Sequence, residues 1–203
     1  MSCCADSPRF PRLSLELPAW VEAQLPAAAY PLASLDERMA LVIGLARENV
    51  RRGSGGPFAA AVFERDSGRL LAPGVNLVLG SGFSGWHAEM VAIALAQRLL
   101  GSHDLGAPGL PACELVTSTE PCAMCFGAIP WSGVRRLLCG ARDADARAIG
   151  FDEGPKPDDW QGALRARGIE VRVDLQRDAA RAVLQAYVDQ GGALYNGRSA
   201  DRD

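Results

Sequence analysis

The amino-acid sequence predicts an α/β fold, and three observations carry that reading. Segments with helical apolar spacing alternate with short apolar, strand-like runs along most of the chain. The strand-like runs fall at 58–63, 70–79, 113–117, 134–140 and 169–173, most of them separated by helical stretches, as in a layered sheet. The chain has 203 residues, 48% hydrophobic and 22% charged, which suits one globular domain with a substantial core.

Residues 1–33 are rich in proline, alanine and leucine, and Pro8, Pro11, Pro18, Pro26 and Pro31 interrupt any long helix. They are expected to form an N-terminal extension, a surface wrap with a short helix over 17–24. The folded domain is expected over 34–196, with a tail over 197–203. Ser34 and Glu37 read as a capping box that opens the first long helix. Met39, Val42, Ile43, Ala46 and Val50 follow at helical spacing, and Arg51-Arg52-Gly53 ends it. Arg65-Asp66-Ser67-Gly68 is a hairpin turn between the first two strands. Residues 80–85 form a flexible approach to a helix over 87–100, and a polar, glycine-rich loop runs to Pro111. A helix over 121–129 lies between the third and fourth strands, with Pro121 fitting its first position. A short helix over 144–148, a helix over 160–167 and an amphipathic helix over 178–190 complete the pattern.

The net charge of -3 gives no general attraction to phosphate backbones. Lys156 is the only lysine beside twenty arginines, a compositional bias and not a binding surface. The six cysteines are placed unlike a disulfide framework: Cys113 and Cys139 lie in apolar runs, and Cys3-Cys4 lie near the terminus. No secretory signal and no run of about 18 apolar residues is present, so a reducing cytoplasm is expected and no membrane association.

The chemistry is concentrated in Trp86-His87-Ala88-Glu89 and Pro121-Cys122-Ala123-Met124-Cys125. Thiols at i and i+3 project from nearly the same helix face. With the His87 imidazole they supply three ligands and leave a fourth tetrahedral position open, the arrangement of a catalytic zinc. Glu89, at a helix start, reaches the same cleft. Zinc lowers the pKa of bound water to about 7, and a neighbouring carboxylate moves the proton. H-x-E followed by P-C-x-x-C is the signature of zinc nucleobase deaminases, in which the glutamate is acid/base and not a ligand. His103 has no partner motif and is read as a loop residue.

On these motifs, with Thr119-Glu120 before Pro121, the sequence resembles the cytidine-deaminase-like superfamily. Gly56-Pro57-Phe58-Ala59, Asn76, Cys125-Phe126-Gly127-Ala128-Ile129 and Ile149-Gly150-Phe151-Asp152-Glu153 make it similar to bacterial guanine deaminases. The resemblance implies a three-layer α/β/α sandwich around a five-stranded mixed sheet. It implies one Zn²⁺ per chain on His87, Cys122 and Cys125, with Glu89 as proton shuttle. It also implies a second catalytic carboxylate, carried to Glu153 with Asp145 as its rival. Asn76, Phe58, Phe151, Ala88 and Asp145 make up the implied substrate-binding set. A free nucleobase, most of all guanine, or a related amino-triazine is the implied substrate. A homodimer is implied as well, with Tyr195 and Asn196 of one subunit covering the other's site.

Two other classes compete with that reading. An editor of adenosine in transfer RNA, or another nucleoside or cytosine deaminase, shares both motifs. An RNA editor, however, needs basic clusters, whereas Asp143, Asp145, Asp152 and Glu153 fall in the site-proximal segment. A zinc-containing binding module without turnover has no need of Glu89.

Overall fold

The computed structural model describes residues 10–25 and 31–197. Cys3, Cys4 and most of the tail expected over 197–203 lie outside the described residues. Five strands, β1 (Ala59–Glu64), β2 (Leu70–Val75), β3 (Cys113–Thr119), β4 (Arg136–Ala141) and β5 (Glu170–Arg172), form one sheet in the order β2-β1-β3-β4-β5. β1 runs antiparallel to β2 and β3, whereas the β3–β4 and β4–β5 pairs are parallel. The sheet is therefore mixed and five-stranded, as the resemblance implies.

Side chains alternate across a strand, so β1 feeds two cores. Ala59, Ala61 and Phe63 join one core, and Ala60 and Val62 the other. The first core is covered by α2 (Leu35–Arg51) and α8 (Arg177–Asp189), with α1 (Ala19–Gln24) and α6 (Asp143–Ala148) at its margins. The second is covered by α4 (Ala88–Leu100), α5 (Ala123–Ser132) and α7 (Trp160–Arg165). Helices thus enclose the sheet on both faces. Val21 of α1 is fully buried in the first core, so this part of the expected extension is anchored to the fold. Among the described residues no helix is long and apolar enough to cross a membrane.

The capping box forms at Ser34, which accepts from the Glu37 amide at 3.1 Å while Glu37 accepts from the Ser34 amide at 2.9 Å. Two boundaries differ from expectation. The second strand stops at Val75, because Asn76 turns the chain and accepts from the Val78 amide at 3.2 Å, and a short α3 (Val78–Ser81) follows. The apolar run Val75-Asn76-Leu77-Val78-Leu79 hides this turn. Pro121 lies two residues before the first residue of α5, Ala123, and directly before its N-cap, Cys122.

The register places the site. Ala59 pairs with Val75, Ala60 with Thr117, and Thr119 with Ala141. Phe58, Asn76, Glu120 and Arg142 therefore emerge at one edge of the sheet. At the opposite end of β3, Glu114 is fully buried between two guanidiniums. It accepts from Arg38 Nη1 and from Arg136 Nε at 2.6 Å. Arg38 also donates to the carbonyls of Leu32 and Arg65 at 2.8 and 2.9 Å, which ties α2 and its approach to the sheet. Removing one member of a buried ionic cluster costs on the order of 3–5 kcal/mol, because uncompensated charge remains. Glu114→Gln is accordingly expected to lower unfolding stability by about that amount in urea denaturation, with the zinc content of the folded fraction unchanged.

Candidate active site

Two helix starts converge at that sheet edge. His87 is the N-cap of α4 in an extended conformation (φ -67°, ψ 154°), and Cys122 is the N-cap of α5, also extended (φ -65°, ψ 172°). An N-cap side chain folds over the first turn, so Cys122 meets Cys125 at position N3. The three ligand atoms all lie within 4.8 Å of one another. His87 Nδ1 stands 3.4 Å from Cys122 Sγ and 3.7 Å from Cys125 Sγ. A tetrahedral zinc with the usual Zn–N and Zn–S lengths holds nitrogen and sulfur ligands about 3.6 Å apart. The donor set, its spacing and its three-ligand count therefore fit a catalytic zinc.

The electrostatics point the same way. Cys122 is pulled down to about 4, chiefly by the Cys125 thiol hydrogen-bonded to it, against burial, and further by His87. Cys125 is pushed well up, first by that same hydrogen bond and then by burial. Burial presses on His87, but its contacts with Cys122 outweigh this and raise it overall. One thiolate is therefore ready, and the second sulfur gives up its proton when a metal arrives.

The pocket above these ligands is lined by Phe58, Asn76, Glu89, Phe151 and Glu153, together with Glu120, Asp152 and Tyr195. Glu89, the second residue of α4, is 7% exposed, and burial raises its carboxyl. Thr117 Oγ1 lies 3.4 Å from Glu89 Oε1. Glu153 is 6% exposed, and its carboxyl is pushed up to about 8 by burial and then by the Cys122 thiolate. Asn76 spends its Oδ1 on the Val78 amide, which leaves Nδ2 as the donor toward the pocket. Phe58 and Phe151 meet edge to face at 4.9 Å, forming an apolar wall.

The structure does not bring two expected residues to the pocket. Asp145 is turned toward α8, where Arg177 donates to both its oxygens at 2.8 Å and the Arg142 amide adds a third bond at 2.8 Å. Ala88 buries its methyl in the core. As the first residue of α4, it has only a backbone amide, unpartnered within the helix, to offer a ligand. Within the chain itself the tail reaches the same pocket. Tyr195 lines its own chain's pocket, with its ring 5.3 Å from Phe151. Asn196 accepts from the Asp152 amide and donates to the Gly150 carbonyl, both at 2.9 Å. Gly56 makes room for this, since a Cβ there would lie 1.9 Å from the Tyr195 hydroxyl. Glu120 is the lining residue that sequence reasoning passed over. Its place at the end of β3, directly before Pro121-Cys122, was the available signal.

Residues 33–141 match the family model of the cytidine and deoxycytidylate deaminase zinc-binding region. The chain is 40% identical to guanine deaminase of Bacillus subtilis (strain 168) over 111 residues, 55% of this chain and 67% of that one. Its fold superposes on a solved guanine deaminase from Nitrosomonas europaea with a TM-score of 0.83 and 54% identity, covering 87% of this chain and 96% of that one. A solved asparagine-to-alanine variant in complex with 8-azaguanine gives a TM-score of 0.82 at 55% identity, covering 87% of this chain and 97% of that one.

Two outcomes are expected. Zinc added to metal-free protein at neutral pH should release a proton from Cys125, so that the heat of binding changes with the ionisation heat of the buffer and affinity falls as pH falls. Asp145→Asn should leave zinc content and pocket chemistry intact but destabilise the fold. Asp145 is held at about 2 by the Arg177 hydrogen bonds, below its ordinary 3.8, so its contribution is present above pH 3.8 and lost as pH falls through 2. Wild type and variant should therefore differ in stability at neutral pH and converge in acid.

Proposed function

The chain belongs to the cytidine and deoxycytidylate deaminase family of zinc-dependent hydrolases, and we propose that it deaminates free guanine to xanthine and ammonia. The observation that carries the guanine reading is the second buried carboxylate, Glu153, lining the same pocket as Glu89 beside the ligand Cys122. Deamination at the 2-amino carbon of a purine works on a carbon flanked by two ring nitrogens. Protons have to be handled on both sides of it, and two carboxylates answer that need.

The zinc, held by His87, Cys122 and Cys125, supplies a lowered pKa for water at the site. Glu89 takes the proton from the attacking water, delivers it to the adjacent ring nitrogen, and assists departure of the amine. Glu153, whose carboxyl burial pushes up, serves as proton donor on the other side of the amino-bearing carbon. Asn76 Nδ2 donates to the polar edge of the ring, fixing its rotation. Phe58 and Phe151 take the ring's apolar surface and exclude water, which strengthens the polar contacts. Atoms balance as guanine and water giving xanthine and ammonia.

A homodimer is part of this reading, supported by the outer face of α5, where Met124 is 43% and Trp131 85% exposed. Apolar groups of that size, about two turns apart on the same helix face, suit an interface between copies. The exposed Asp152 beside the pocket favours a free base over a polyanionic nucleic acid.

An ammonia-release screen over guanine, guanosine, adenine, cytosine and amino-triazines tests the substrate. Guanine is expected to be turned over fastest, and a flat panel with zinc bound would refute catalysis. Glu89→Ala should keep its zinc and lose ~10²–10⁴-fold in turnover. Glu153→Gln should impair guanine turnover with the metal in place. Near-wild-type rates in either variant would remove that residue's role.

A further inference from the structure

A circuit of polar contacts runs behind the metal ligands, and none of the roles above uses it. Its centre is Lys156, the only lysine of the chain, with a side chain just 6% exposed. The ammonium donates to the Pro121 carbonyl at 2.7 Å and pairs with Asp143 Oδ1 at 2.7 Å, beneath the Trp160 ring at 5.5 Å. Asp143 accepts from Arg147 Nε at 2.5 Å through its other oxygen, and Arg147 Nη2 donates to the Gly154 carbonyl at 2.8 Å. The Asp143 amide donates to Glu120 Oε2 at 3.0 Å. The Ala123 amide, an unpaired helix-start donor, reaches the Glu153 carbonyl at 2.8 Å and closes the circuit.

The two arcs of this circuit are the loop that holds Cys122 and the loop that holds Glu153. Three things argue that Lys156 was placed to join them. An ammonium is costly to bury, and here both its principal acceptors belong to other segments, so its desolvation is offset only while the two loops stay together. The lysine is flanked by Pro155 and Pro157, whose rings fix their own φ and so stiffen its mounting. Every other basic side chain except histidine is arginine, yet here a compact ammonium stands between one carbonyl and one carboxylate.

We propose that Lys156 is a positioning residue that clasps the metal-ligand loop to the Glu153 loop and so sets the distance between Cys122 and the second carboxylate. The proposal rests on the role given above to Glu153. A displacement of about 1 Å in such a group is enough for ~10²-fold in rate.

The test compares Lys156→Met, Lys156→Arg, Glu153→Gln and the Lys156→Met/Glu153→Gln double variant, all as zinc-loaded full-length protein. Lys156→Met is expected to keep one zinc by elemental analysis and to lose about 10²-fold in kcat on guanine, with KM moving less than about threefold. Adding it to Glu153→Gln should cost nothing more, since the lysine acts through that carboxylate. Lys156→Arg should recover part of the loss, because it still donates to the Pro121 carbonyl, and it serves as the charged variant should Lys156→Met fold poorly. Hydrogen exchange read on the same proteins needs no substrate. In Lys156→Met, the Ala123 amide should exchange at least ~10-fold faster while the amides of β3 and β4 keep their protection.

Additive losses in the double variant, loss of zinc in Lys156→Met, or unchanged exchange at Ala123 would each overturn the proposal. Absence of guanine turnover in the wild type would instead overturn the substrate assignment, and the exchange measurement would still decide the clasp.

Discussion

Everything at the site depends on two helices starting at the same point in space. α4 and α5 present their N-caps, His87 and Cys122, to each other at the sheet edge, 3.4 Å apart at the ligand atoms. A helix start carries unpaired amides and the positive end of the helix dipole, so it favours thiolate and carboxylate groups that would otherwise resist burial. The fold achieves the convergence through its pattern of strand directions. β1 is antiparallel to β3 while β4 is parallel to it, so the loops entering β1 and leaving β2, β3 and β4 all meet at one edge. Ligand sites in open α/β sheets gather at such reversals.

What could be read from the sequence was what is local. His87, Glu89, Cys122 and Cys125 were legible because the geometry of a helix start turns a spacing of two or three residues into a shared direction. The strand and helix alternation was legible for the same reason, since each period lies within a few residues. Asn76 was singled out, but the turn it makes was not. Its neighbours Val75, Leu77, Val78 and Leu79 are all strand formers, and apolar spacing carries no mark of where a side-chain oxygen caps the backbone.

Residues whose meaning comes from a distant partner were not legible. Glu114 is an unremarked acidic residue until the register puts Arg136 beside it and α2 brings Arg38. Asp145 shares its short stretch of sequence with site-proximal acids, yet Arg177, thirty-two positions away, takes both of its oxygens. Lys156 looked like compositional accident because its contacts lie at Pro121 and Asp143. The tail's return to its own chain depends on Gly56, whose missing side chain has significance only once Tyr195 is beside it.

The pairing of a thiolate with a thiol also bears on redox chemistry. Cys122 is only partly buried, so an oxidant can reach it, and Cys125 stands three residues on. Cys113 and Cys139, by contrast, are buried and have raised thiol pKa values, which leaves them inert. Among the described cysteines, an oxidant that reaches Cys122 in the absence of the ion therefore finds an adjacent sulfur, Cys125, to trap the product. The same zinc that serves hydrolysis is thus a protecting group for the pair that binds it.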